Sequence, residues 1–241
     1  MVFEELKRQA AIEAVKLVKP GMIIGLGTGS TAKYAIEEIG RLLRIRALSD
    51  VAGVPSSKMT EILAIQNSVP LTSFNEIKVI DLNIDGADEV DTKLNLIKGG
   101  GGALLKEKII AQASIQNIII VDESKLSPKL GFKWSVPVEV IPFALELEKS
   151  TFEGWGAKVK IRVDKNGKKF TTDSGNNILD VNLGKIEDPF EIESRFQKRA
   201  GVVESGIFAG LTTDLIVATT KGLFHLNKGD SDSKFHLIFK D

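Results

Sequence analysis

The run Lys98-Gly99-Gly100-Gly101-Gly102 opens directly into Ala103-Leu-Leu-Lys-Glu107-Lys-Ile-Ile-Ala, and its residue types suit a reaction passing through a negatively charged oxygen. Consecutive glycines free the backbone for positive φ and remove every Cβ, so amide N–H groups can converge on an anion. Lys98 adds a cation, and Glu107 stands as a base one turn into the helix expected from Ala103. Projection at about 100° per residue places Glu107 between Ala103, Ile110 and Ala111, away from any continuous charged face. Partial desolvation is expected to raise its pKa toward the range of a general base, while Lys106 and Lys108 are expected to face solvent. The bland alternative, a glutamate paired with a neighbouring lysine, loses ground to the adjacent glycines.

A second glycine loop, Gly25-Leu-Gly27-Thr28-Gly29-Ser30-Thr31, falls between a strand and a helix that Ser30 or Thr31 can cap. Backbone amides, the positive end of the helix and three hydroxyls suit a phosphate there. The dinucleotide fingerprint needs a third glycine, and the P-loop a lysine, where this chain has Ser30. Asp50 nevertheless lies at about the distance of a ribose-binding acid, which keeps a nicotinamide-nucleotide oxidoreductase as a rival. A tight turn with a capping serine is the bland alternative.

Asp85-Gly86-Ala87-Asp88-Glu89-Val90-Asp91 ends a strand, the place where an α/β sheet collects ligand-binding groups, so Asp85 and Asp88 are site candidates. Glu89 and Asp91 read as a solvated acidic turn. Asp81, Asn83, Asp85 and Gly86 imitate the opening of a calcium loop, but Thr92 occupies the position of its bidentate glutamate. Asp122-Glu123-Ser124-Lys125 ends another strand, and Lys125 can add a cation to the same rim.

The elements that must position these residues alternate. Met22–Leu26, Val51–Val54, Ile77–Asp85 and Asn117–Asp122 read as strands, and Ser57–Gln66 and the segment from Ala103 as helices. The pattern predicts an α/β fold: a doubly wound, mostly parallel, Rossmann-like sheet. From about Lys129 hairpin signals take over. Val136–Pro142, a helix near Phe143–Gly154, alternating Lys158–Val163, a strand-like run between Asn166-Gly167 and Ser174, Ile178–Leu183 and a helix over Pro189–Arg199 predict a smaller inserted α+β domain. Residues 1–130 with 205–241 are expected to form the catalytic domain, and 131–204 the smaller one, suited to oligomerisation.

Over 241 residues, 32 Lys and Arg balance 32 Asp and Glu, so no global charge draws the chain to nucleic acid or anionic membrane. Absence of cysteine removes thiolate chemistry and fits a cytoplasmic setting. His225 and His236 have no neighbour at metal-ligand spacing and read as surface or packing residues. The first residues are charged and helix-periodic, unlike a signal peptide, and no apolar run is long enough to span a bilayer. Trp134, Trp155 and the phenylalanines read as core or interface.

In chain order, GLGTGST, Ser56-Ser57 with Thr60, DGADE, KGGGGALLKEKI, DESK and VPVEVIP resemble the type A family of ribose-5-phosphate isomerases, from Lys7 through GNNILDV to about Gly222. Val90-Asp91 departs from the family's frequent Ile-Asn. The resemblance implies reversible conversion of D-ribose 5-phosphate into D-ribulose 5-phosphate in the pentose phosphate pathway, without metal or organic cofactor, by a homodimer or a tetramer of dimers. It implies that Glu107 shuttles the proton between C2 and C1 and that Asp85 assists ring opening. Asp88, Lys98 and the amides of Gly99, Gly100 and Gly101 would bind hydroxyls and the enediolate oxygen, with Gly86 and Ala87 beside them. Lys7, Thr28, Gly29, Ser30, Thr31 and Lys125 would hold the phosphate. A noncatalytic sugar-phosphate sensor on the same fold is the alternative, since fold alone does not fix function.

Overall fold

Apolar residues three and four apart make the first helix, α1 (Val2–Val15), which buries Leu6, Ala10, Ala11, Ala14 and Val15 on one side. β1 (Ile23–Leu26), α2 (Ala32–Arg44), β2 (Ala52–Pro55), α3 (Lys58–Gln66) and β3 (Ile80–Asp85) then alternate. Short strands β4 (Glu89–Val90) and β5 (Leu96–Ile97) precede α4 (Leu104–Ala113) and β6 (Ser114–Asp122). After them come β7 (Val136–Val140), α5 (Leu145–Gly154), β8 (Lys158–Ile161), β9 (Asn177–Asn182) and α6 (Pro189–Gln197). β10 (Val202–Ser205), β11 (Ile207–Phe208), β12 (Asp214–Thr219) and β13 (Gly222–Asn227) complete the order. The structure, a computed structural model, describes residues 2–230 and residue 238; His236 lies outside them.

The chain divides into two units, Met1–Ala87 with Lys106–Leu126 and Leu211–Asp241, and Asp88–Leu105 with Ser127–Gly210. This differs from a division at 130 and 205, because β5 pairs with β11 rather than with the parallel sheet, at Ile97 with Ile207 and Leu96 with Phe208. Ser127 N–H also donates to the Val90 carbonyl at 2.8 Å.

The first unit holds one sheet in the order β13-β12-β6-β3-β1-β2, parallel except for the edge hairpin β12-β13. β12 is buried along its whole length, as a strand covered on both faces must be, whereas β13 is mostly exposed. Counting its parallel strands in chain order gives 2-1-3-4-5, so the order reverses between β1 and β3. Ligands of such sheets bind beyond the strand C-termini at that reversal, here the ends Leu26 and Asp85. Leu26, Ile36, Ile39, Leu82, Ile118 and Ile216 belong to its main core.

The second unit contains the antiparallel sheet β10-β7-β9-β8 and the small sheet β11-β5-β4. Phe152 of α5, Trp155 just after it and Phe196 of α6 meet in tilted and edge-on contacts over it. The strand expected between Asn166-Gly167 and Ser174 is reduced to one bridge, Val163 with Lys169. Instead the Thr172 and Asn176 side chains donate to the buried Glu139 carboxylate, which holds this segment as a loop. Among the described residues no helix is long and apolar enough to cross a membrane.

Candidate active site

In the first unit, the loop after β1 and the end of β3 interlock. Thr28 N–H and Gly86 N–H donate to Asp85 Oδ1 at 3.1 and 2.7 Å, and Gly27 N–H donates to the Ile84 carbonyl at 3.0 Å. Any Cβ on Gly27 would overlap the Asp85 carboxylate, so glycine is required by close approach rather than by turn geometry. Asp85 itself is 1% exposed.

A cluster of hydroxyls lies beneath this loop. Thr28 Oγ1 is 2.7 Å from Ser56 Oγ, 2.9 Å from Ser57 Oγ and 2.9 Å from Thr60 Oγ1. Ser56 donates to the Leu26 carbonyl at 2.8 Å and Thr60 to the Gly27 carbonyl at 3.0 Å. Ser57 also caps α3 by accepting from Thr60 N–H. Ser56, Ser57 and Thr60 received no role from the sequence; their signal was the serine pair opening a helix. The Thr28 hydroxyl turns into this cluster, while Gly29 and Ser30 are exposed and Thr31 is buried. Thr31 occupies the N-cap of α2 without a side-chain capping bond, contrary to the capping role open to it. Amides of the first turn of a helix lack intrahelical acceptors, which suits the loop to an anion.

Glu107 lies on α4 at 4% exposure, and Lys108 beside it at 1%. The expected solvent position of Lys108 is therefore wrong. It follows Leu104 by four residues and precedes Ala111 by three, and so shares the buried stripe, while Ile109 is 42% exposed. Residue type alone suggested the opposite order. Lys106 is half-buried. Lys125 ends a 3-10 turn after β6 and is half-buried. Lys7 contacts Glu4 Oε1 at 2.7 Å, a bond that, with one from Tyr34, holds the Glu4 carboxyl below its usual range.

Asp50 precedes β2, at the end of the sheet opposite the glycine loop, because the parallel pairing runs from Ile23 with Ala52 to Leu26 with Pro55. It cannot serve as the ribose acid of a dinucleotide fold, which follows its strand. Asp81 and Asn83 are likewise spent inside the sheet, on Ile23 N–H and Asn117. Among the described residues no group of three or more His, Asp or Glu side chains is placed to hold a metal.

In the second unit, Asp88 Oδ2 accepts from Gly100 N–H at 2.7 Å, and Lys98 is buried with its ammonium 5.6 Å from the centre of the Phe208 ring. Lys98 N–H is tied to the Gly206 carbonyl at 2.8 Å. Gly99 is buried, and Gly100 and Gly101 are exposed. Glu89 is not a solvated acid. It is fully buried, and its carboxylate collects the N–H groups of Gly131, Phe132, Lys133 and Trp134 at 3.0–3.2 Å. Asp91 is also buried and folds the turn below it, accepting from Lys93 N–H, Asn95 N–H and Asn95 Nδ2. Both acids were misread because each spends its charge on backbone N–H groups distant or adjacent in sequence, a pairing that a charge run does not reveal.

The model of the family "Ribose 5-phosphate isomerase A (phosphoriboisomerase A)" matches residues 52–222. Ribose-5-phosphate isomerase A of Desulfatibacillum aliphaticivorans is 52% identical over 220 residues, 91% of this chain and 96% of the relative. A solved D-ribose-5-phosphate isomerase in complex with phospho-erythronic acid superposes with a TM-score of 0.92 at 42% identity, covering 94% of this chain and 100% of the other. The ribose 5-phosphate isomerase A of Methanocaldococcus jannaschii gives 0.89 at 44% identity, over 93% and 99%.

Proposed function

We propose roles for individual residues from one premise: the chain belongs to the ribose-5-phosphate isomerase A family, and it is an isomerase that interconverts ribose 5-phosphate and ribulose 5-phosphate. Aldose–ketose conversion moves one proton between C2 and C1 and one between the two oxygens, through an enediolate. It needs a base above the carbons, donors at the oxygens and a grip on the nonreacting end.

Glu107 is the base that takes the C2 proton and returns it to C1. Its burial on α4 supports this, because a base shielded from bulk water is held against one carbon and not spent on solvent. Asp85 assists opening of the furanose ring, supported by its place at the end of β3 and its immobilisation by two backbone N–H groups. Asp88, Lys98 and the amides of Gly99 and Gly101 take the hydroxyls and the enediolate oxygen, Gly100 acts through its N–H bond to Asp88 Oδ2, and Gly86 and Ala87 line the sugar. Lys7, Thr28, Gly29, Ser30, Thr31 and Lys125 take the phosphate. The amides of Gly29, Ser30 and Thr31 are supported as donors by their place just before the first turn of α2, and Thr28, whose N–H is held by Asp85 and whose hydroxyl points into the cluster, is an anchor of the loop as well. The reaction places the enzyme in the pentose phosphate pathway, and it requires no organic cofactor or metal.

The observation that carries the assignment is the buried Glu107 one turn into the helix that follows the tetraglycine run. Conversion of D-ribose 5-phosphate in chelator-treated buffer tests it. Glu107→Gln is expected to lose roughly 10²- to 10⁴-fold in kcat with substrate affinity largely kept; near-normal turnover would remove Glu107 from the mechanism. No feature favours the sensor, whose fold would have no need of a buried carboxylate there.

A homo-oligomer, dimer or tetramer, completes the proposal. Exposed Phe143 and Leu147 on the second unit support it, since an apolar patch of that kind suits a second copy. Cytoplasmic location is supported by the absence of cysteine.

A further inference from the structure

The tetraglycine loop is held by a side chain about sixty residues away that belongs to no motif. Arg162, just after β8, donates from Nη1 to the Gly99 carbonyl at 2.7 Å and to the Gly100 carbonyl at 3.1 Å. The rest of its guanidinium grips Asp180 of β9, Nε to Oδ2 at 3.0 Å and Nη2 to Oδ1. The pair is largely buried, the two side chains being 15% and 28% exposed.

Planar peptides make this contact informative. The Gly99 carbonyl and the Gly100 N–H leave one peptide plane in opposite directions, as do the Gly100 carbonyl and the Gly101 N–H. Anchoring both carbonyls on Arg162 therefore aims both N–H groups the other way. Gly100 N–H meets Asp88 Oδ2 at 2.7 Å on that opposite side. Left to themselves, peptides between glycines flip readily, because no Cβ restricts φ and ψ. Gly99 and Gly102 already sit at φ of 95° and 81°, and Gly102 N–H closes on the Gly99 carbonyl at 3.0 Å.

We propose that Arg162, itself oriented by Asp180, is a positioning residue that locks the Gly99–Gly100 and Gly100–Gly101 peptides in the orientation that holds the Gly100 amide on Asp88 and presents the Gly101 amide to the sugar oxygens. The inference rests on the isomerase mechanism above and extends it to residues outside the reacting shell. Guanidinium suits the task because its fixed fork binds a carboxylate on one edge and two carbonyls at the other end. The four bonds exceed the three donors of an ammonium, which also lacks the fixed edge that meets both Asp180 oxygens.

The test compares wild type with Arg162→Lys, Arg162→Ala and Asp180→Asn in kcat, KM, thermal unfolding and affinity for phospho-erythronic acid, whose planar carboxylate offers two oxygens as an enediolate does. Losing one preorganised donor of an oxyanion costs up to about 10³-fold, so a disordered pair should lower kcat by roughly 10- to 100-fold and leave KM within about threefold. Affinity for the acid phosphate should fall by the same factor as kcat/KM, the mark of an interaction made in the transition state. Added guanidinium should partly restore Arg162→Ala. Should Arg162→Ala fail to fold, Arg162→Lys and Asp180→Asn decide. Folded variants with kcat within about twofold of wild type, or a KM rise at constant kcat, would overturn the proposal. Wild type without isomerase activity would overturn the isomerase mechanism and this proposal together, so the two failures are distinguishable.

Discussion

Asp85 accepts two backbone N–H groups and lies where Gly27 leaves no room for a Cβ, so its carboxylate is fixed before any ligand arrives. Asp91, six residues on, is held for another purpose. Burial pushes its carboxyl above the ordinary value of 3.8, against the opposing bonds from Asn95 and Lys93. A folded pKa above the unfolded one means that the native state holds more protons in the interval between them, so stability falls as pH rises upward from 3.8 through the folded value. Asp91→Asn is expected to flatten that part of the profile; thermal unfolding of both proteins at several pH values from about 4 to 7 would show it. Identical slopes would mean that Asp91 titrates alike in both states. The sequence singled out Glu107 because the glycines beside it raised the stakes of its position. The same helical projection puts Lys108 about 40° from Leu104, on the buried stripe, where its charge alone points to solvent.

The β1–α2 loop depends on the beginning of α3. Thr60 donates to the Gly27 carbonyl and contacts Thr28 Oγ1, so one hydroxyl ties the phosphate-loop candidate to the neighbouring helix. Thr60→Val keeps the shape and removes the hydroxyl, leaving buried polar groups without a partner. About 1–3 kcal/mol of stability should be lost, measured by urea unfolding, and KM for the sugar phosphate should rise more than kcat falls. An unchanged KM would separate the cluster from phosphate binding. Elsewhere the elements follow their local patterns: Asp188 caps α6 with Pro189 at its first position, and Ser57 caps α3. The segment around Phe170 reads as a strand between two turn signals but keeps only the single bridge of Val163 with Lys169, because Thr172 and Asn176 turn to Glu139.

For the whole molecule, the proposed roles put substrate grip and chemistry on different segments of chain, the glycine loop after β1 and the helix of Glu107. Binding energy at the phosphate can then position the open-chain sugar for proton transfer, so D-ribose is expected to lose kcat as well as affinity relative to D-ribose 5-phosphate. A loss confined to KM, measured by comparing both sugars, would show that the phosphate contributes only affinity. Alternating apolar strands and amphipathic helices determined the α/β class, because a strand buried on both faces and a helix buried on one leave different periods in the residues themselves. The glycine loops, DGADE and Glu107 stood out as site candidates for a similar reason: their residue types are concentrated in a few adjacent positions. Tertiary structure alone decided that Asp88–Leu105 groups with Ser127–Gly210, that Glu89 is buried under the N–H groups of residues 131–134, and that Arg162 clasps Gly99 and Gly100. The first rests on the pairing of β5 with β11, and the other two each join partners more than forty residues apart through one side chain; such pairings have no period and no local composition from which they can be read.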